Sequence, residues 1–369
     1  MIQRKKHHLD IVLLSIVIFF ITLEILLIAT ISFPLALEKF NDGYFFLRHQ
    51  LIYGLIPGIF LGLFFLKIPL NILKKKSLIL FLLNLIVIAC IFLPKIGASF
   101  GGASRWIKLG GITFQPSEFL KITAILYLAS LISKRANRKE AKKGALLFSF
   151  LVILTAISLP LIRQPDISTL GIIIMTLLLV YFAGKTPIFH SIFIIVLILG
   201  GLLFLMQSAS YRLERLLVYL EPQIDPLGIG YQSKQSLITI GSGKILGQGI
   251  GYSRQKFGFL PQPISDCIFA IFAEETGFLG TATLILVFLV FLWRGIKISK
   301  ESSDLFSQLV GLGIIFWLTF QAFLNISGLL GIIPFSGIPL PFISYGGSHL
   351  IAELIGVGLL LNISKNRSL

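Results

Sequence analysis

The chain has 369 residues, of which 56% are hydrophobic and only 13% charged, with a mean hydropathy of +0.93. A soluble globule needs about twice that share of charge to cover its surface, so the composition specifies a polytopic membrane protein. The net charge of +16 does not indicate nucleic acid: the cations sit between apolar runs of about 20 residues, where they set topology and meet anionic head groups.

In chain order, MIQRKKHHLD and the run Ile11 to Ser32 begin like a signal peptide. The run is too long and lacks a small-residue cleavage site, so it reads as an uncleaved first transmembrane helix. Further spanning runs lie at Leu47 to Leu66, Leu78 to Leu93, Phe119 to Ile132, Ala145 to Ile162, Thr169 to Phe182 and Pro187 to Met206. After a long polar stretch come Ile268 to Trp293, Leu305 to Asn325 and Leu350 to Ile363. The expected fold is all-α, with about ten transmembrane helices and a large extracytoplasmic loop, residues 207–265, between helices 7 and 8. With both termini cytoplasmic, the inner connections and tails carry nineteen cations against six in the short outer ones, the asymmetry that sets orientation.

That loop is longer than a linker between packed helices needs to be. Its Gly-rich part, Gly228 to Gly251, alternates helix-compatible pieces with glycine breaks. It is expected to fold partly back against the membrane face, where irregular backbone survives only under cover of protein or water.

Two cysteines, Cys90 and Cys267, give no disulfide framework, and His7, His8, His49, His190 and His349 are scattered without metal-ligand spacing. Among the sixteen acids, Glu24 and Glu353 lie inside helices as bundle-facing contacts or functional groups. Asp266 precedes a helix, after Pro261, Pro263 and Ser265. It is either a charge suited to the helix dipole or a group with a use at the membrane surface. Beyond it, Ala270, Ala273, Gly277 and Gly280 form a small-residue face that would let another helix approach. Glu274 and Glu275 read as a structural ion or hydrogen-bond pair.

A second polar concentration runs from Gly101 to Lys121. Glu118 and Lys121 have the spacing of a pair on one helix face, while Arg105 and Lys108, flanking Trp106, either hold a phosphate or anchor the interface. Asp166, in RQPDISTL, is placed to cap the next helix. Gly331 to Leu350, rich in proline and glycine and without a charged residue, cannot be one continuous helix and suggests a re-entrant loop or broken helix lining a cavity. The basic loop Lys134 to Lys143 reads as a topology signal or a partner contact.

Taken together, GGASRWIKLGG with QPSEFLK, QPD, DPLGIGYQSKQSLITIGSG, SRQKFGFLP followed by DCIFAIFAEETGFLG, and GIPLPFISYGGS resemble the SEDS family (shape, elongation, division and sporulation), typified by FtsW and RodA. The resemblance favours FtsW through Gln235 to Leu237 and Ser253 to Lys256. It implies a single SEDS-type transmembrane domain over residues 1–369, in the bacterial cytoplasmic (inner) membrane, acting as a peptidoglycan glycosyltransferase that polymerises lipid II. The implied partner is a class B penicillin-binding protein transpeptidase, with other divisome or elongasome membrane proteins.

By the same resemblance, Asp266 is the essential acid and general base on the acceptor hydroxyl, and Glu118 with Lys121 is the membrane ion pair. The leaving pyrophosphate would meet cations from Arg105, Lys108, Arg212, Arg215 or Arg254, or a divalent metal, Mg or Mn, held with Asp266. The chain departs from the family at Ile264, Ser265 and Cys267, where His-Thr-Asp-Phe is usual around the acid. It departs again at Asp166 to Thr169, where Asp-Leu-Gly-Thr is usual. Rival readings are a lipid II flippase or transporter and a non-catalytic scaffold of the division complex.

Overall fold

The protein is described from a computed structural model at residues 9–93, 97–100, 103–109, 112–136, 143–184, 186–207, 219 and 229–365. Apolar side chains all round the helices give a bundle whose outward faces suit lipid. Helix α1 (Ile11–Ile31) starts at Asp10, whose carboxylate accepts from Leu13 N, and runs into the short α2 (Phe33–Phe40), which ends on Asn41 in the left-handed region. Residues 33–40, which lie between the first two apolar runs, are thus helical. Pro34 in the first turn carries no amide donor, so it costs no intrahelical bond there.

Helix α3 (Phe45–Gln50) passes through a π-helical turn, Leu51–Leu55, into α4 (Ile56–Lys67). Helix α5 (Leu70–Cys90) follows. A feature absent from the sequence reading comes next: an antiparallel sheet of β1 (Gly97–Phe100), β2 (Ala103–Leu109) and β3 (Ile112–Phe114), ordered β1-β2-β3. Ile107 pairs with Gly97 on one side and Phe114 on the other.

Helices α6 (Pro116–Ala136), α7 (Lys143–Arg163), α8 (Ile167–Ala183), α9 (Ile188–Gln207) and α10 (Ile229–Ser242) precede the 33-residue α11 (Ile268–Lys300). Then come α12 (Leu305–Leu329), capped by Asp304, and α13 (Gly347–Lys365). Seven helical stretches among the described residues are long and apolar enough to cross a membrane. Helix α5 has Lys74, Lys75 and Lys76 in its first half, and α8 is a shorter apolar helix.

Helices α6, α12 and α13 are the most enclosed of the spans. Helix α13 lies directly on α4: a Cβ at Gly358 would come within 2.2 Å of Gly62 O, so the backbones touch only because both positions are glycine. Residues 331–346 between α12 and α13 are irregular, as the proline and glycine content requires. Phe342 pins this segment into the core, its ring 5.6 Å from Phe20 of α1 and 5.9 Å from Phe291 of α11. The basic loop falls largely outside the described residues, at 137–142.

Candidate active site

Asp266 stands in the turn that leads into α11, one residue before the N-cap Cys267, and is half-buried. Its backbone is held from several sides. Ser344 Oγ donates to Ser265 O, Tyr345 N donates to Ile264 O at 2.8 Å, and Cys267 N donates to Gln262 O at 3.2 Å. Asn325 Nδ2 of α12 donates to Asp266 O at 2.9 Å and to Ile338 O at 2.7 Å. Two chain segments distant in sequence, 262–267 and 336–346, are thereby fixed to one another. The carboxylate faces Gly337, where a Cβ would stand 3.4 Å from Oδ2, so the missing side chain leaves room beside the acid.

Cys267 is fully buried, with Gln232 Nε2 donating to its sulfur at 3.3 Å. Burial pushes its thiol up to about 11, partly offset by the Gln232 bond. Burial likewise pushes the Tyr345 phenol up to about 12.

Below this turn, Lys121 Nζ donates to Glu118 Oε2 at 2.8 Å, as the spacing predicts, and both side chains are almost wholly buried. The same ammonium donates to Gln321 Oε1 at 2.9 Å and sits 5.2 Å from the Trp317 ring centre. Gln321 Nε2 donates to Pro339 O at 3.0 Å. The ion pair therefore connects, through one amide, to the irregular segment that faces Asp266.

Arg105 on β2 donates to Gln164 O and Pro165 O and lies 3.7 Å from Asp166 Oδ1. Asp166 occupies the N-cap position of α8, yet its side chain makes no capping bond, so the capping expectation is corrected: the carboxylate faces Arg105 instead. Burial raises the Asp166 pKa, with Arg105 pulling the other way. Lys108 and Arg254 are exposed. Arg212 and Arg215 lie outside the described residues.

Glu274 and Glu275 act as hydrogen-bond acceptors. Ser253 Oγ donates to Glu274 Oε2, Arg254 N to Glu274 Oε1 at 3.2 Å, and Ser253 N to Glu275 Oε1 at 3.4 Å. At the Gly277 end of the small-residue face, the chain that comes closest is the loop after α10. Helix α11 is broken at Gly277 (φ 65, ψ −164), and the glycine loop after α10 fills the break. A Cβ at Gly277 would lie 2.3 Å from Gly247 N, and one at Gly243 would lie 2.1 Å from Ala273 O. Gln248 N and Gly249 N donate to Glu274 O and Glu275 O, while Phe278 N donates to Lys244 O, so the freed carbonyls and amide find partners as a membrane setting demands.

Glu24 and Glu353 are bundle-facing contacts. Glu24 accepts from Gln50 Nε2 at 2.6 Å, Gln50 Oε1 accepts from Gly346 N at 3.0 Å, and Glu353 accepts from Phe342 N at 2.7 Å. The sequence reading missed Gln50, Gln321, Asn325 and Ser344. Gln321 and Asn325 carry one available signal, polar residues four apart on an apolar helix. Among the described residues no group of three or more His, Cys, Asp or Glu is placed to hold a metal ion.

The profile of the cell cycle protein family of FtsW, RodA and SpoVE matches residues 10–369. Stage V sporulation protein E of Bacillus subtilis is 37% identical over 98% of both chains. A probable peptidoglycan glycosyltransferase FtsW of a Geobacter species is 33% identical, again over 98% of each. Among solved structures, a chain from work on polymerization and crosslinking by a peptidoglycan synthase complex superposes with a TM-score of 0.78 and 25% identity, over 97% of this chain and 98% of that one. The rod shape determining protein RodA of Thermus thermophilus shares the fold, with a TM-score of 0.71, 24% identity and 97% of each chain covered. Its apolar spans make the protein a multi-pass membrane protein, and the match over nearly its whole length makes it a member of the FtsW, RodA and SpoVE cell cycle protein family.

Proposed function

We propose that the protein is a peptidoglycan glycosyltransferase that polymerises lipid II at the outer face of the bacterial cytoplasmic membrane, with both termini in the cytoplasm. The observation that carries this reading is a half-buried carboxylate, Asp266, at the mouth of a helix, its backbone clamped to the irregular segment 336–346 and its carboxylate beside Gly337, which has no side chain. Relatives named as glycosyltransferases over nearly the whole length support it. The FtsW-named relatives favour the FtsW-like subtype.

Asp266 accepts the proton of the 4-hydroxyl of the acceptor GlcNAc as that oxygen attacks C1 of the donor MurNAc. The C1–O bond to undecaprenyl pyrophosphate breaks, and its electron pair leaves with the phosphate. A positioned base of this kind contributes about 10² to 10⁴ in rate. Lys108 and Arg254, both exposed, receive the pyrophosphate. Arg105 does so only by sharing donors already engaged by Gln164 O, Pro165 O and Asp166, and Arg212 and Arg215 complete the set. A polyprenyl tail stays in lipid while the sugars reach Asp266, which is why an apolar bundle suits this substrate.

Magnesium is held by one or two carboxylates together with substrate phosphates. Asp266 as a single carboxylate fits that mode, and among the described residues no group of three or more His, Cys, Asp or Glu makes a closed protein site. Asp266 would be the protein ligand of such an ion, which would neutralise charge on the leaving pyrophosphate. We assign a class B penicillin-binding protein as the transpeptidase partner, alongside other division or elongation membrane proteins. One SEDS-type domain spans residues 1–369.

A flippase is the second reading, because the buried pair Glu118 and Lys121 is a feature that transport pathways also use. Purified protein in liposomes with labelled lipid II separates the two, run with and without the transpeptidase and Mg or Mn. Glycan polymer supports the enzyme; transfer between leaflets without polymer supports the flippase and removes the enzyme.

A further inference from the structure

Helix α12 carries Trp317, Gln321 and Asn325 spaced four apart and so on one face. The two amides are almost completely buried, Gln321 at 0% and Asn325 at 2% exposure. Their bonds form a continuous line. Gln321 Oε1 accepts from Trp317 Nε1 at 2.9 Å and from Lys121 Nζ at 2.9 Å, which uses both lone pairs. Gln321 Nε2 donates to Pro339 O. One turn further along, Asn325 Nδ2 spends its two hydrogens on Ile338 O and Asp266 O. Carbonyls on that side fix which end of the Asn325 amide faces them, since an amide oxygen could not accept from a carbonyl.

Pro339 O and Ile338 O are successive carbonyls of a segment that makes no helix or sheet of its own. Without the amides those carbonyls would be orphaned in a buried, low-dielectric place, where hydrogen bonds are strong and their loss is costly. The register of segment 336–340 against α12 is thus set by Gln321 and Asn325. Gly337, beside the Asp266 carboxylate, lies within that segment.

We infer that Gln321 and Asn325 are positioning residues for glycosyl transfer, a two-rung amide ladder through which the ion pair Glu118–Lys121 holds segment 336–340 against Asp266. Lys121 orients Gln321, Gln321 fixes Pro339, and Asn325 ties the adjoining carbonyl to the backbone of the base. The ion pair acts on chemistry without touching substrate. This inference rests on Asp266 being the base.

The test uses the full-length protein with its transpeptidase, measuring kcat and KM for lipid II and the melting temperature of each variant. Asn325→Leu keeps the volume and removes both donors; Gln321→Met does the same for the lower rung. Each is expected to lower kcat about 10²-fold, the cost of a misplacement near 1 Å, with KM unchanged. Asn325→Gln, which restores a donor, is expected to recover part of kcat. Lys121→Met combined with Asn325→Leu is expected to lose far less than the product of the single losses, because both break one line of contacts.

Ile315→Val on the same helix controls for stability, and Asp266→Asn is run in parallel. Fully multiplicative losses, a loss carried by KM, or activity that tracks melting temperature with Ile315→Val on the same line would each overturn the ladder. If Asp266→Asn retains full polymerisation, the base assignment fails instead. If Asp266→Asn is inactive while Asn325→Leu and Gln321→Met turn over normally, only the ladder fails.

Discussion

Replacing Gly277 by alanine tests how the site is mounted. Gly277 sits at φ 65, ψ −164, a region open in practice only to glycine, and forcing a side chain there costs about 1–3 kcal/mol. The new Cβ would also fall 2.3 Å from Gly247 N and 2.5 Å from Ile245 O. Both are backbone atoms, so the loop must move. That movement breaks the bonds from Phe278 N to Lys244 O at 2.9 Å and from Leu279 N to Ile245 O at 3.2 Å, worth about 1 kcal/mol each. The expected loss is therefore roughly 3–5 kcal/mol.

Because residues 268–276 begin two residues after Asp266, polymerisation should fall about 10²-fold as well. The assay is denaturation in detergent beside a lipid II turnover assay. Gly171→Ala serves as comparison: nothing lies within 4 Å of its Cβ, and alanine in mid-helix gains about 0.5–1 kcal/mol. Equal stability and full turnover in Gly277→Ala would refute the account of the broken helix.

Three further outcomes follow from the same geometry. Glu118→Gln leaves Lys121 without its carboxylate in a buried place, and melting should report a loss of about 3–5 kcal/mol. Burial raises the Asp166 pKa above its unfolded value, so its ionisation in the fold opposes stability. The stability that the protonated acid contributes is complete below the ordinary carboxylate range and is lost as pH rises through the raised folded pKa. The difference in melting temperature between Asp166→Asn and wild type should accordingly grow as pH rises through that window and then level off. A difference independent of pH would contradict it. Cys267, fully buried and with its thiol pushed up to about 11, should resist maleimide at neutral pH and react only on unfolding, as read by mass spectrometry.

Most spans were legible because a run of apolar residues long enough for lipid has few other uses. The Glu118–Lys121 pair was legible from spacing alone, and residues 331–346 from proline and glycine chemistry. The sheet at residues 97–114 was not, because its short strands lie between glycines and carry Arg105 and Lys108, so no clean alternation marks them. Ala270, Ala273, Gly277 and Gly280 announce a close approach, yet nothing local says that at Gly277 the loop after α10 comes closest. Asp166 looked like a cap until Arg105, 3.7 Å away across the fold, competed for it. Gln321 and Asn325 were overlooked because the worth of an amide on an apolar helix depends on which carbonyls other segments bring to it.

The role proposed for the Asp266 carboxylate is to take the acceptor proton. Its most direct test is the rate of glycan formation from purified lipid II by Asp266→Asn, folded to the wild-type melting temperature. The expected result is a fall of about 10² to 10⁴ with lipid II still bound; polymerisation at the wild-type rate would rule that role out.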